Sequence, residues 1–252
     1  MKKLLKEIIN KKFLNKFGYK VCRSNVGEVV EVIEEMTSEE NLLLETCLKY
    51  SMTTKTRMWS LLNSINYIHN YNIPGDFVEC GVWKGGNLIL YQLLNQKKIL
   101  NRNIYGFDTF EGMPLPGKFD FKSNGRSALD LYNIITKSKD GWCKSTLDEV
   151  KDNILKECSL DNVNLIKGKV EDTLQINENV PEKISILRLD TDFYESTKIE
   201  LELLYPRLAK NGVLIIDDYG NYKGARKAVD EYFKTKPFLI YIDDTCRLLI
   251  KN

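Results

Sequence analysis

The sequence predicts an α/β fold built on a mainly parallel sheet, and three observations support this prediction. Short apolar runs, such as residues 163–167, 184–190 and 212–218, are bounded by turn residues, which is typical of buried strands. Segments with helical periodicity, including one over residues 201–208, separate these runs, and alternation of strand and helix implies parallel pairing. Two final apolar runs, residues 238–242 and 246–250, lie close together in the chain. They predict a closing antiparallel hairpin.

The chain begins with a predicted basic amphipathic helix. Residues 1–23 are rich in lysine, contain one acid, Glu7, and repeat their apolar residues at helical spacing. Such a helix either packs on the protein body or a second subunit, or lies on an anionic membrane surface. We expect a homo-oligomer, with peripheral membrane contact through residues 1–23 as the alternative use of this helix.

Three further predicted helices complete an amino-terminal helical layer. Apolar residues return at helical intervals over residues 29–36, 42–48 and 58–68. The sequence Thr37-Ser-Glu-Glu40 predicts a capping box for the second of these helices. The threonine pair at 53–54 offers an N-cap for the third.

The main domain is predicted over residues 70–252, after a helical extension of residues 1–69. It begins with the turn Pro74-Gly75, a strand, a glycine-rich turn and an apolar helix. The glycines of this second turn are Gly81, Gly85 and Gly86. Glycines at a strand-to-helix junction let the backbone approach a ligand closely, so the junction is a predicted nucleotide-type binding site.

A long segment of about residues 112–145 interrupts the predicted alternation of strands and helices. It mixes charged residues with Ser, Asn and Gly and has no sustained period. Long loops inside a compact domain usually serve a function or are disordered. We therefore predict an insertion that covers one face of the domain and acts as a lid.

Each predicted parallel strand contains, or is followed by, an acidic residue. In an open α/β sheet, ligands bind beyond the carboxyl ends of the strands, near the point where strand order reverses. The acids at these ends are Glu79, Asp108, Asp172, Asp190, Asp217 and Asp218. Asp108 is placed to accept hydrogen bonds from ribose hydroxyls, and Asp172 from an adenine amino group. The alternative for each is a turn or helix-capping role.

Four of the acids are expected to lie close together. Asp190, Asp192, Asp217 and Asp218 follow two strands that the usual topology makes neighbours. Carboxylates so close repel one another unless protons or a cation offset their charge. Mg²⁺ binds a few carboxylates together with waters and substrate oxygens, so a magnesium site is the simpler prediction.

Composition excludes several classes of function. The net charge of +2 gives no global field for nucleic acid, and the six cysteines show no zinc spacing and are expected to be reduced thiols. The one histidine, His69, lies in a predicted helix, so a histidine-based triad has little support. Cys80 lies inside a strand and fits a small buried hydrophobe better than a nucleophile. Without a membrane-spanning run or a secretion signal, we expect a cytoplasmic protein.

Four motifs in order resemble the macrocin O-methyltransferase family. They are Val78-Glu-Cys-Gly-Val-Trp-Lys-Gly-Gly86, Phe107-Asp-Thr-Phe-Glu-Gly-Met-Pro114, Leu187-Arg-Leu-Asp-Thr-Asp-Phe-Tyr-Glu-Ser-Thr197, and Ile215-Ile-Asp-Asp-Tyr-Gly220 with Ala225-Arg-Lys-Ala-Val-Asp230. The resemblance implies a Rossmann-like class I methyltransferase with a seven-stranded sheet. It also implies S-adenosylmethionine and Mg²⁺ as cofactors and a sugar hydroxyl or an aromatic hydroxyl as methyl acceptor.

The resemblance assigns roles to individual residues. The implied cofactor-binding residues are Glu79, Gly81, Trp83, Gly85, Gly86, Asp108, Thr109, Phe110 and Asp172. The implied metal ligands are Asp190, Asp217 and Asp218. Asp190 is also the implied general base, because a carboxylate can take the proton of a hydroxyl whose pKa a metal has lowered. Thr191 stands where the family often has glycine, and residues 118–145 match nothing in it.

Several functions remain open from the sequence. We expect methyl transfer to a hydroxyl of a sugar or sugar-nucleotide, in surface-polysaccharide or natural-product tailoring. Methylation of a phenolic or other small-molecule oxygen is the second possibility, and a non-catalytic cofactor-binding protein is the third. A nicotinamide-dependent oxidoreductase is disfavoured, because Gly81-x-x-x-Gly85-Gly86 departs from the dinucleotide fingerprint.

Overall fold

The computed structural model describes residues 33–98, 100–138 and 141–252, and residues 35–252 form one compact unit. The predicted helix over residues 1–23 lies outside the described residues. So does most of the helix predicted over residues 29–36, whose described part contains a turn. Among the described residues, no helix has both the length and the apolar character needed to cross a bilayer.

The centre of the molecule is a seven-stranded sheet in the order β3-β2-β1-β4-β5-β7-β6. Its strands are β1 (Asp76–Cys80), β2 (Ile104–Asp108), β3 (Val163–Lys167), β4 (Ile184–Leu189), β5 (Leu208–Ile216), β6 (Ile240–Tyr241) and β7 (Arg247–Ile250). The first five pair in parallel, and β7 pairs antiparallel with both β5 and β6. Strand order reverses between β1 and β4, which confirms the predicted class I methyltransferase topology with its antiparallel closing hairpin.

The described residues contain eight α-helices, of which the first two precede β1 and the other six lie between strands. They are α1 (Ser38–Leu48), α2 (Lys55–Asn70), α3 (Gly86–Lys98), α4 (Ala128–Ser138), α5 (Leu147–Glu157), α6 (Val170–Thr173), α7 (Tyr194–Leu203) and α8 (Lys223–Tyr232). The predicted capping box at Thr37 and Glu40 is present, and Thr54 caps α2 by accepting a hydrogen bond from the Arg57 amide. These polar caps satisfy amide groups that the first turn of each helix leaves free.

Two predicted boundaries were displaced. The helix expected over residues 201–208 begins earlier, at Tyr194, and a short 3₁₀ turn at Tyr205–Arg207 follows it. Strand β5 begins at Leu208, before the glycine expected to start it. Pro206 lies within the 3₁₀ turn and offers no amide for continuing an α-helix, which accounts for the earlier helix end.

The sheet is covered on both faces. Phe77, Ile186 and Ile215 belong to the apolar core that includes the helical layer of α1 and α2. Alternate residues such as Val78 and Leu187 belong to a separate core on the other face. The first core therefore spans the boundary predicted between residues 69 and 70, because the helical layer buries the strands that follow it.

The segment predicted as an insertion contains regular structure. Phe121 forms an antiparallel bridge with Ser127, and Lys122 forms another with Tyr222 at the start of α8. Helix α4 follows, although Ser, Asn and Gly in the surrounding residues obscured its period. These bridges place residues 121–127 against the carboxyl side of the sheet, where β5 runs into α8.

Candidate active site

The carboxyl ends of β1 and β4 approach each other at Gly81. Its amide donates to the Phe107 carbonyl at 2.8 Å, and the Asp190 amide donates to the Cys80 carbonyl at 2.8 Å. Gly81 has φ +90°, and a Cβ there would lie 2.1 Å from the Asp190 carbonyl oxygen. Only glycine fits both conditions, so this residue sets the floor of the crevice at the strand reversal.

Asp108 at the end of β2 organises the glycine turn. Its Oδ2 accepts hydrogen bonds from the Val82 amide at 2.7 Å and the Trp83 amide at 3.0 Å, and its Oδ1 accepts one from the Phe110 amide at 2.8 Å. Trp83 and Phe110 both have a positive φ, which residues other than glycine adopt infrequently. The Asp108 carboxylate therefore stabilises both of these strained turns. It also faces the crevice.

A cleft with about 720 Å³ of empty space opens beyond these strand ends. Six predicted site residues line it: Gly81, Trp83, Asp108, Thr109, Asp190 and Asp192. Its other walls come from the turn after β3, including Gly168 and Glu171, and from Met113 and Cys143 of the insertion. The cleft therefore extends continuously from the glycine turn to the acids after β4.

Other predicted cofactor residues lie behind or outside this cleft. Glu79, Gly85, Gly86 and Phe110 are buried and do not line the cleft. Asp172 is exposed, and its neighbour Glu171 is the acid of this turn that faces the cleft. The prediction that Asp172 contacts adenine remains a proposal, as do the roles assigned to the buried residues.

Arg188 in β4 is a buried cation among the site acids that was not among the predicted site residues. Its Nη1 lies 2.8 Å from Glu79 Oε1 and 2.7 Å from Asp190 Oδ2, and its Nη2 lies 3.2 Å from Asp217 Oδ2. The residue is only 2% exposed. The signal was an arginine inside an otherwise apolar strand, because such a cation is rarely buried without partners.

Glu79 is a buried counter-ion to Arg188. It also accepts a hydrogen bond from Asn87 Nδ2 at 2.7 Å, so the start of α3 is tied to β1. Burial raises the pKa of Glu79 to about 7, although Arg188 and Asn87 both oppose the rise. Its side chain therefore supports the glycine turn from beneath.

Asp217 is held by two guanidinium groups. Arg57 of α2 donates through Nη1 to Asp217 Oδ2 at 3.1 Å, and Arg188 approaches the same oxygen. Burial by itself raises the pKa of Asp217, but attraction to Arg188 and Arg57 outweighs it and leaves the pKa lowered. Arg57 also donates to Asp243 in the β6–β7 turn at 2.6 Å.

Three carboxylates beside Asp217 meet at one point. Single oxygens of Asp190, Asp192 and Asp218 all lie within 4.8 Å of one another. Burial raises the pKa of Asp190 and of Asp218 well above the ordinary range, and neighbouring carboxylates add to the rise. Burial also raises the pKa of Asp192 to about 6. The three acids form an electron-rich centre whose charge favours a proton or a cation.

A cluster of aromatic side chains packs next to the acids. Phe193 meets Trp142 of the insertion edge to face at 6.4 Å between ring centroids, and it meets Tyr222 at 5.7 Å. The Lys122 ammonium lies 3.8 Å from the centre of the Tyr222 ring. The insertion thus supplies both an apolar contact, through Trp142, and a positive charge, through Lys122, to this cluster.

Comparisons with known proteins show the family to which the chain belongs. The macrocin-O-methyltransferase (TylF) family matches residues 9–248 of the chain. The chain belongs to this family. It is similar to demethyldecarbamoylnovobiocin O-methyltransferase of Streptomyces niveus, with 32% identity over 77% of this chain and 72% of the relative. It is also similar to mycinamicin III 3''-O-methyltransferase of Micromonospora griseorubida, with 28% identity over 88% of this chain and 85% of the relative.

Solved structures show the same fold. The O-methyltransferase NovP superposes with a TM-score of 0.71 and 28% identity, over 80% of this chain and 82% of that one. Calicheamicin methyltransferase CalS11 superposes with a TM-score of 0.57 and 21% identity, over 86% and 94%, which supports the fold alone. As a member of the macrocin-O-methyltransferase family, the chain is an S-adenosylmethionine-dependent O-methyltransferase.

Proposed function

We propose that the protein transfers a methyl group from S-adenosylmethionine to a hydroxyl of a sugar or sugar-nucleotide, with the help of a divalent cation. The observation that carries this proposal is the continuous cleft from the Gly81 turn to Asp190. A cofactor at the turn would present its methyl group toward an acceptor at the acids. The relatives named for novobiocin and mycinamicin methylation support an acceptor in natural-product tailoring.

The cofactor-binding residues are proposed on the cleft geometry and the family motifs. Gly81, Trp83, Asp108 and Thr109 line the space beside the turn, where the methionine and ribose parts would lie. Glu79, Gly85, Gly86 and Phe110 would support that surface from beneath, and Asp172 would act at the adenine end. Asp108 already accepts three backbone hydrogen bonds, so a ribose hydroxyl would share its oxygens with the turn.

Asp190 is the proposed general base. It faces the cleft, and its Oδ2 accepts a hydrogen bond from Arg188 at 2.7 Å. The Arg188 guanidinium would hold this carboxylate beside the acceptor hydroxyl, whose proton Asp190 would take. S-adenosylmethionine, when bound, would supply a methyl group on a positively charged sulfur that leaves as a neutral thioether. The residues of the cleft would contribute mainly by aligning the acceptor oxygen with that methyl group.

The acid group fits a magnesium ion. Oxygens on opposite sides of Mg²⁺ lie about 4.2 Å apart, since each Mg–O distance is about 2.1 Å, and the three carboxylate oxygens lie within 4.8 Å of one another. When bound, the cation supplies a Lewis acid that lowers the pKa of a nearby hydroxyl. The family motifs imply Asp190, Asp217 and Asp218 as the metal ligands, whereas the geometry favours Asp190, Asp192 and Asp218. The two proposals therefore differ only in the third ligand.

The function is tested by mass spectrometry with S-adenosylmethionine and a panel of sugars, sugar-nucleotides and phenols. Gain of one methyl on a sugar or sugar-nucleotide supports the proposal, and gain on phenols alone contradicts the acceptor class. Replacement of Asp190 by Asn should lower kcat about 10²-fold or more, since general bases contribute that much. S-adenosylmethionine affinity should stay within about threefold, because the donor lies toward the glycine turn.

The cation is tested by Mn²⁺ titration of the protein and by chelation. Full activity in excess chelator contradicts metal dependence. Asp218→Asn is expected to weaken Mn²⁺ binding at least tenfold. Asp192→Asn and Asp217→Asn then identify the third ligand, because only the variant that removes a ligand should weaken binding as much as Asp218→Asn does.

The setting of the enzyme is also a proposal. We propose a cytoplasmic homo-oligomer acting in surface-polysaccharide or natural-product tailoring, with peripheral membrane contact through residues 1–23 as the alternative use of that segment. Deletion of residues 1–20 that changes neither oligomer mass nor vesicle binding would contradict both uses.

A further inference from the structure

Asp120 is a buried acid in the insertion, and none of the family motifs includes it. Its side chain is almost fully covered, at 2% exposure. Oδ1 accepts a hydrogen bond from the Tyr194 amide at 2.8 Å, and Oδ2 accepts one from the Gly117 amide at 2.7 Å. Its carbonyl accepts the Ala128 amide at 2.9 Å. One residue thus closes both ends of the 117–128 segment and joins it to α7.

The bond to Tyr194 supplies a cap that α7 lacks locally. The N-cap residue of this helix is Phe193, whose side chain has no acceptor. The first amides of a helix require partners, and a carboxylate there also interacts favourably with the helix dipole. Asp120, distant in sequence, provides that acceptor for the first residue of α7.

Helix α8 packs closely against the same contact through Gly224. A Cβ on Gly224 would lie 2.1 Å from Asp120 Oδ1 and 3.0 Å from the Tyr194 amide nitrogen. Glycine is less favourable than alanine in a helix, so close approach is the physical reason for glycine at this position in the first turn of α8. The carboxylate therefore sits where the insertion, α7 and α8 converge.

This junction adjoins the acids of the site. Asp192 has φ +66° and lies two residues before Tyr194, so the start of α7 fixes the turn that aims its carboxylate. On the other side, the Ser123 amide donates to the Asn221 carbonyl at 2.7 Å. Asn221 Nδ2 donates to Asp218 Oδ1 at 3.0 Å. Both flanks of the acid group are thus bonded to the segment that Asp120 holds.

We infer that Asp120 is a positioning residue for the acid group. By capping α7 and anchoring residues 117–128, it fixes the carboxylates of Asp192 and Asp218 in the orientation that binds the cation. This inference rests on the proposed metal-assisted function, and the cofactor side of the cleft does not depend on it.

Two substitutions disturb the contact from opposite sides. In Asp120→Asn, an NH₂ group faces the Tyr194 or the Gly117 amide, which places donor against donor. In Gly224→Ala, the new methyl group displaces Oδ1. Each variant is expected to bind Mn²⁺ at least tenfold more weakly and to bind S-adenosylhomocysteine within twofold of wild type. Asp130→Asn, which changes an exposed acid of the same insertion, is the matched control and should change neither affinity.

A double variant separates positioning from general damage. Asp120→Ala removes the carboxylate oxygen that the methyl group added by Gly224→Ala would strike. Adding Gly224→Ala to the Asp120→Ala protein should therefore weaken Mn²⁺ binding by a smaller factor than adding Gly224→Ala to the wild-type protein. Hydrogen exchange of residues 190–197 provides a readout that needs no metal. Exchange there should rise at least tenfold in Asp120→Asn and stay unchanged in Asp130→Asn.

The outcomes distinguish this inference from the proposed function. Wild-type protein that binds no Mn²⁺ contradicts the metal proposal, and the exchange of residues 190–197 still decides whether Asp120 holds the turn. Wild-type protein that binds Mn²⁺, with both single variants within twofold of it, overturns the inference about Asp120. Loss of S-adenosylhomocysteine binding in parallel with Mn²⁺ binding also overturns it, because the damage would then extend across the domain.

Discussion

Gly81 and Gly125 share a left-handed backbone conformation and differ in what surrounds them. Their φ values are +90° and +88°, but a Cβ on Gly81 would meet the Asp190 carbonyl, whereas a Cβ on Gly125 would have nothing within 4 Å. The pair therefore separates the cost of backbone strain from the cost of crowding at the site.

Gly81→Ala is expected to lower the free energy of unfolding by more than about 3 kcal/mol, since a steric clash adds to strain of about 1–3 kcal/mol. Gly125→Ala should cost only about 1 kcal/mol. Urea denaturation measures both values, and S-adenosylhomocysteine titration should show lost affinity for Gly81→Ala alone. Equal losses of stability in the two variants would contradict the close approach of β1 and β4.

Arg188 shows how much of the site depends on single long-range contacts. The sequence identified acids at the strand ends, yet Glu79, Asp190 and Asp217 share one guanidinium that the sequence analysis did not single out. Their separation in sequence hides this arrangement. Parallel pairing places Glu79 directly opposite Arg188, and that register is decided by the sheet.

At the scale of elements, α7 carries a buried acid that is separate from the acid group of the site. Glu200 is fully buried and accepts a hydrogen bond from Thr191 Oγ1 at 2.9 Å. Burial raises the pKa of Glu200 well above its ordinary value. The native state therefore keeps this proton at a pH where the unfolded chain has released it.

The consequence is a stability that falls as pH rises. From the ordinary glutamate pKa of about 4.3 upward, the unfolded state binds fewer protons than the native state, so the free energy of unfolding declines until the native pKa is reached. Glu200→Gln removes this titration. Its stability relative to wild type should rise as pH increases above the ordinary glutamate pKa, as measured by denaturant unfolding at several pH values.

Glu202→Gln is the matched control for this measurement, because it lies on the same helix and is exposed. Its stability relative to wild type should be independent of pH. A flat difference for Glu200→Gln as well would show that Glu200 ionises in the native state as it does in the unfolded chain.

The helices differ in how readily the sequence revealed them. Thr37 and Thr54 marked two helix starts correctly, because side-chain capping is a local interaction. Tyr194 was missed as the start of α7, because its cap comes from Asp120 in a different part of the chain. Local patterns predict the ends that local chemistry determines.

At the scale of the whole molecule, Arg57 connects three parts of the compact unit. It extends from α2 to Asp217 after β5 and to Asp243 in the β6–β7 turn. Its side chain is 17% exposed, so these ion pairs are partly shielded from solvent. The helical layer thus covers the sheet and also supplies a positive charge to Asp217, which lies beside the acid group.

A double-mutant cycle on Arg57→Gln and Asp243→Asn is expected to give a coupling energy of at least about 1 kcal/mol, because partly buried pairs are screened less than surface pairs. The same cycle on the exposed pair of Lys97 and Glu39 should give no measurable coupling. Denaturant unfolding measures both cycles. Absence of coupling would show that the ion pair between Arg57 and Asp243 adds nothing to the stability of the protein.

The sequence by itself determined the parallel sheet with its closing hairpin, the glycine turn after β1 and the acids at the strand ends. These features follow from local periodicity, turn residues and the rule that ligands bind at the carboxyl edge of such sheets. The four motifs also identified the family.

Only the tertiary structure decided which groups each acid contacts. It placed Asp217 between Arg57 and Arg188, grouped Asp190 with Asp192 and Asp218, and brought Asp120 to the start of α7. The physical reason is that electrostatic pairing and helix capping act through space. The partners here are far apart in the chain, and strand register and loop path bring them together.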